Sequence, residues 1–168
     1  MVDKYLRIPA LTLKHKGPID FQQLLDAITG WLSSKLFFVE INKTKYKGPK
    51  GHTEREFEIS GVKKINDYVK QKIEITIFAA DMKEVDVVKN GETKKLLDGL
   101  YLISVEGYAE LDYTNRFEKN NFLKMLRNFY HNFIIFKTTD EIYEDEIKVK
   151  VGELFRVIRN TMEQTAVW

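Results

Sequence analysis

From Tyr101 to Tyr113 the chain alternates with a period of two. Tyr101, Ile103, Val105, Ala109, Leu111 and Tyr113 fall on one side, and Leu102, Ser104, Glu106, Tyr108, Glu110 and Asp112 on the other. Successive side chains of a strand point to opposite faces, so this run predicts a strand with one dry and one mostly wet face, as in an antiparallel sheet covered on one side. The same period governs most of the chain from Leu36 onward. Phe37, Val39 and Ile41 alternate with Glu40 and Asn42; Phe57 and Ile59 with Glu56 and Glu58; Ile73, Ile75 and Ile77 with Lys72, Glu74 and Thr76. Gly48-Pro49-Lys50-Gly51 separates the first two runs by its turn chemistry. Gly61 marks a candidate bulge or bend, and Lys63–Gln71 holds either a tight turn at Asn66-Asp67 or a short helix.

Side-chain parity constrains the hairpin at Asn90-Gly91. A two-residue loop sets Ile77 against Ser104, apolar against polar. A three-residue loop, Lys89-Asn90-Gly91, pairs Ile77 with Ile103, Ile75 with Val105 and Ile73 with Gly107, so the faces agree. The expectation is therefore a three-residue loop with Gly91 in the left-handed position of a bulge. Val85 would then face Lys95, which predicts an irregularity within Lys83–Leu97.

Elsewhere the period is helical. Phe21, Leu24, Leu25, Ile28, Trp31 and Leu32 form one stripe, preceded by Pro18 and by an Asp20/Gln23 capping pair, and the helix is expected to end near Ser34. A second capping pair, Asn115 and Glu118, precedes Leu123, Leu126, Phe129, Tyr130, Phe133 and Ile134. Ile147, Val151, Leu154, Phe155, Ile158 and Met162 make a third stripe. It starts behind an acidic run whose Asp140 and Glu141 complement the positive end of a helix dipole; a strand over 147–151 is the alternative. Tyr5–Lys16 reads as an extended arm, an edge strand at best because Pro9 lacks an N–H. The order predicts an α+β fold: an antiparallel meander of about four long strands, with one N-terminal and two C-terminal helices packed on one face. It forms a single domain, 1–168, with residues 1–18 as an extended N-terminal arm. Each large side chain fully buried contributes about 1.5–3 kcal/mol, so Trp31→Ala and Leu126→Ala are both expected to be strongly destabilising.

At 168 residues, 43% hydrophobic and 31% charged, the chain has enough apolar material for a core. No apolar run approaches the roughly 18–20 residues that span a bilayer. Met1–Pro9 has neither an apolar h-region nor a small-residue cleavage site, so no secretory signal is expected. There is no cysteine, which excludes disulfides, thiolate metal sites and cysteine nucleophiles, and fits a cytoplasmic location.

Catalytic and cofactor patterns are missing. His15, His52 and His131 stand far apart. His52, Glu54 and Glu56 would share one side of a strand, but the polar alternation of a solvated strand gives the same string, so no metal site is expected. Neither G-x-S-x-G, G-x-G-x-x-G nor G-x-x-x-x-G-K occurs. Glu106, Glu110 and Asp112 share a strand face and suit its wet side better than acid–base work. The expectation is a non-enzymatic protein without a cofactor.

Binding is the better reading. The net charge is +2, with 14 Lys/Arg against 8 Asp/Glu in residues 1–72 and 13 against 17 in 73–168. The foremost expectation is a protein partner or self-association. Apolar residues of the helix expected over Phe117–Phe136 exceed one stripe, which nominates Phe122, Met125 and Phe136, together with the terminal Trp168, as interface residues. Complementary basic and acidic ends would add register to self-association. The alternative is RNA or DNA binding by a basic tip in which Lys43, Lys45, Lys47 and Lys50 meet phosphates and Tyr46 stacks on a base. Lys63, Lys64, Lys70 and Lys72 would extend this patch if their strands are neighbours. A third reading is an apolar-ligand carrier, with Phe117, Phe122, Phe129, Tyr130, Phe133 and Phe136 around a cavity.

Overall fold

The computed structural model describes residues 5–46, 54–89, 91–115, 117, 120–130 and 139–166. Six strands and three helices follow in the order β1 (Tyr5–Arg7), β2 (Leu11–Ile19), α1 (Phe21–Ser34), β3 (Phe38–Tyr46), β4 (Arg55–Lys64), β5 (Val69–Lys89), β6 (Glu92–Leu111), α2 (Asn121–Tyr130) and α3 (Thr139–Ala166). Strands β3 to β6 form the expected antiparallel meander. The arm is drawn into the same sheet, where β1 and β2 lie in line along the free side of β6. Pro9 divides them: Arg7 stands opposite Tyr108 and Leu11 opposite Val105, so one extra arm residue is accommodated at the break. Ile8 still donates its N–H to the Gly107 carbonyl, 3.1 Å away.

The hairpin corrects the sequence reading. Ile77 does pair with Ile103, Ile75 with Val105 and Ile73 with Gly107, yet the loop has two residues, because Lys89 pairs with Glu92. Parity is restored further down, where Ala80 faces Leu100 and Lys83 faces Asp98, so that Asp81 and Met82 oppose Gly99 alone. Asp81 takes a positive φ of 54° in this bulge. A Cβ on Gly99 would lie 2.9 Å from the Ala80 carbonyl oxygen, so the close approach there excludes larger residues. Val85 consequently faces Leu96 rather than Lys95.

Gly61 is no bulge. It pairs regularly with Val39 and Ile73, and its missing side chain makes room for Leu32 and Phe37, which a Cβ would meet at 2.8 and 3.2 Å. At Asn66-Asp67 the chain makes a tight turn, not a helix: the Asn66 side-chain oxygen accepts from the Tyr68 and Val69 N–H groups at 2.8 Å each.

The core lies between one sheet face and α1 with α3. Since β2 and β3 occupy opposite sides of the sheet, α1 crosses its inner face and buries Leu24, Ile28 and Leu32 against Ile59, Ile75, Ile77 and Ile103. Asp20 caps α1, accepting from the Gln23 N–H at 3.0 Å. Helix α3 starts at Thr139, just ahead of the acidic run, and continues through 147–151, so the strand alternative is rejected. It buries Ile147, Val151, Leu154, Ile158 and Met162. It also presses onto β6, where a Cβ on Gly107 would come within 2.6 Å of Val151. No described helix is long and apolar enough to cross a membrane.

Helix α2 begins later than its sequence suggests. Asp112 and Asn115 both adopt positive φ, and Asn115 closes a turn onto the Asp112 carbonyl. The cap is therefore Asn120, whose side chain accepts from the Leu123 N–H at 2.8 Å, not Asn115. Phe117 precedes the helix and meets Tyr68 edge-on at 6.2 Å. Residues 131–138, with Phe133, Ile134 and Phe136, lie outside the described residues, as does Trp168.

Candidate functional site

Helix α2 carries the two nominated interface residues that are described. Phe122 is 65% exposed and Met125 64%, and Leu126 and Phe129 join them on the same face at the spacing i, i+3, i+4, i+7. Leu126 thus takes no part in the buried core, contrary to the packing on which the expectation of a strongly destabilising Leu126→Ala rests. Large apolar side chains that an amphipathic helix leaves largely exposed along one face make a candidate contact surface. Lys124 stands in the same helix, and no acidic residue does.

The basic tip is split by the structure. Lys45 pairs with Glu56 and Tyr46 with Arg55, after a register shift that begins past Asn42; Lys43 falls within that shift. Lys47 and Lys50 lie outside the described residues. Of the lysines expected to extend the patch, Lys64 faces Lys70 and Lys72 faces Val62. They are strand neighbours, but at the other end of β4, nine residues from Arg55 and about 30 Å away at the usual strand rise. Lys63 points to the opposite face, donates to the Lys35 carbonyl at the end of α1 (3.0 Å) and lies over the Phe37 ring.

At that far end the outer sheet face holds a cluster of cations and tyrosines. The Arg7 guanidinium lies 5.6 Å from the Tyr5 ring and 5.8 Å from the Tyr108 ring. Lys64 and Lys70 lie 5.9 and 5.4 Å from the Tyr113 ring, and Lys72 is 5.9 Å from Tyr108. Lys70 pairs with Glu110 and Lys72 with Glu74. The hydrogen bond to Glu74 is the main reason that Lys72 holds its proton more tightly than an ordinary lysine. Sequence reasoning missed Arg7 and Tyr5, because only the pairing of the arm with β6 brings them here.

Among the described residues, groups that would do chemistry are dispersed. Glu106 and Glu110 remain on the outer face, whereas Asp112 turns inward past the end of β6 and accepts from the Phe117 N–H at 3.4 Å. His52 is outside the described residues, and among those described no three His, Asp or Glu side chains gather closely enough to hold a metal ion. His15 and Tyr101 approach to 6.3 Å under the sheet. Burial holds the imidazole below its ordinary pKa and pushes the phenol up to about 12, with Asp98 adding to the latter. Tyr101 donates to the Leu97 carbonyl at 2.8 Å. Gln71, Glu146 and Lys150 form a buried-edge network between β5 and α3, with Lys150 donating to Gln71 at 2.8 Å and ion-paired to Glu146. Its bonds are spent within the fold.

The space between sheet and helices, where a carrier would hold its guest, is occupied by the fully buried Ile28, Ile75, Ile77, Ile103, Leu154 and Ile158. In comparisons with known proteins, no family model matches the chain and no curated protein is similar to it in sequence.

Proposed function

We propose that this protein is a non-enzymatic binding domain that works through protein–protein contact, with the apolar face of α2 as its docking surface. The supporting observation is the exposed row Phe122, Met125, Leu126 and Phe129 on one helix. Such anchors, three and four residues apart, are what a helix presents to an apolar groove. Each is worth about 1.5–3 kcal/mol when fully covered, from which the cost of association is subtracted. A second copy of the chain is the first partner to test. The lack of cysteine suits work in a reducing cytoplasm. Sedimentation over a range of concentrations should give a mass above the 19.8 kDa of one chain, and Phe122→Ser/Met125→Ser should return it to one chain with unchanged folding. A single-chain mass at the highest concentration removes self-association. A partner that binds both proteins equally removes α2.

A second reading has its own support in the Arg7, Tyr5 and Tyr108 cluster, which offers ring faces beside cations to a single-stranded nucleic acid. Salt-dependent binding of an RNA or DNA oligonucleotide, measured by fluorescence anisotropy, should then fall with Arg7→Ala/Tyr108→Ala. Loss only on replacing Lys43, Lys45, Lys47 and Lys50 together would return the contact to the tip.

A further inference from the structure

Toward the hairpin end, the outer sheet face turns from polar to apolar. Phe78 and Ala80 of β5 lie beside Leu102 and Leu100 of β6, and Lys14 and Lys16 of β2 stand beyond them, opposite Leu102 and Leu100. These residues line a hollow of about 410 Å³, inside the roughly 300–1,000 Å³ of small-molecule sites. The hollow has a structural cause. The bulge at Asp81–Met82 opposite Gly99 re-aims the strands just past it, and the floor residue nearest the bulge is an alanine.

The geometry points to a binding site for a small amphiphilic anion, a single aliphatic chain ending in a carboxylate. The floor supplies an apolar surface, with Phe78 37%, Leu100 45% and Leu102 39% exposed. The rim supplies two ammonium groups, neither in an ion pair with a described residue. Orientation follows from charge. Glu56 is the cross-strand neighbour of Phe78, so the β4 side repels an anion while the β2 side attracts it. The head lies by Lys14 and Lys16 and the chain runs over Leu100 and Leu102 toward Phe78.

Other occupants fit less well. Over 100–102, β6 is paired with β2 on one side and β5 on the other, so it offers no free backbone groups. A peptide laid across this floor would turn amides onto an apolar surface that offers them no partners, a penalty that an acyl chain does not incur. The hollow and the α2 face share no residue. The site is therefore independent of the α2 surface.

The test is calorimetric titration of the full chain with dodecanoate, kept below micelle formation, alongside dodecanol as the neutral analogue. Saturable one-site binding of dodecanoate is expected. Ala80→Phe, which fills the hollow, should weaken it at least tenfold, as should Leu102→Glu at a partly exposed position, should Ala80→Phe not fold. Lys14→Gln/Lys16→Gln should weaken dodecanoate about tenfold and leave dodecanol nearly unchanged. Phe122→Ser/Met125→Ser should alter neither. Absence of saturable binding overturns the proposal. So does binding that is indifferent to Leu102→Glu, an equal effect of the lysine pair on both compounds, or loss of binding in the α2 variant.

Discussion

Helices α1 and α2 are built from the same local signals and meet opposite fates. Each is preceded by an Asx residue whose side chain accepts from an N–H three residues on, Asp20 from Gln23 and Asn120 from Leu123. Each carries bulky apolar residues three and four positions apart. In α1 the stripe Leu24, Ile28 and Leu32 is buried to within 1% of completeness; in α2, Phe122, Met125 and Phe129 remain more than half exposed. Topology makes the difference. Helix α1 joins strands on opposite sides of the sheet and must cross the inner face, whereas α2 sits in the connection from β6 to α3, which has no sheet to cross. An amphipathic stripe states that a helix needs a cover. Whether this chain provides that cover depends on where the two ends of the helix are tethered.

The comparison breaks most easily at Ile28. Ile28→Ala should cost about 2–5 kcal/mol, the range for a large aliphatic residue removed from a packed interior. It is read as a lower urea midpoint at unchanged slope. A loss under about 1 kcal/mol would mean that α1 is not the covered helix. Next in size, Gly107→Val should cost about 1–3 kcal/mol, because its side chain would enter the space held by Val151 and Ile147 of α3. Gly30→Ala sharpens the contrast. Nothing lies within 4 Å of its added Cβ, so the α1 propensity gain of about 1 kcal/mol should appear as a higher midpoint.

Asp20→Ala should cost about 1 kcal/mol near neutral pH through loss of the α1 cap. Burial pushes the Asp20 carboxyl up, but the hydrogen bond to Lys94, the Gln23 N–H and the Lys94 charge together hold it below its ordinary value. A carboxyl depressed in the folded state stabilises above its unfolded pKa and loses that contribution as pH falls through the folded one. The gap between the parent and Asp20→Ala should therefore be constant near neutrality and close in acid, below the ordinary carboxylate range. A gap that widens in acid would contradict the Lys94 pairing.

Much of this architecture is legible along the chain because one face of each strand is dry. The Ile73, Ile75 and Ile77 row had to meet Ile103 and Val105, whatever the loop between them. The loop length escapes parity counting for a physical reason: such counting assumes an uninterrupted ladder, and the extra residue at Asp81–Met82 exchanges the faces just as a third loop residue would. Gly99 was the available signal, a glycine inside a strand where backbones come close. The Arg7, Tyr5 and Tyr108 cluster and the Lys14/Lys16 rim left no such trace. They exist through the pairing of the arm with β6, about a hundred residues away, and no local periodicity encodes that register.

Leu126→Ala carries the smallest expected effect and the sharpest lesson. Its helical spacing alone places it in a core, where removal would cost about 2–5 kcal/mol. At 39% exposure on α2 it should instead cost less than about 0.5 kcal/mol, within the range of ordinary surface substitutions. If the α2 face is a contact surface, the same substitution should weaken association measurably while the urea midpoint of the single chain stays in place. A core residue cannot separate the two readouts, because its removal loosens the fold and the assembly together. A large drop in midpoint for Leu126→Ala would place a cover over α2 within the chain itself, and the face would then be interior rather than a surface for a partner.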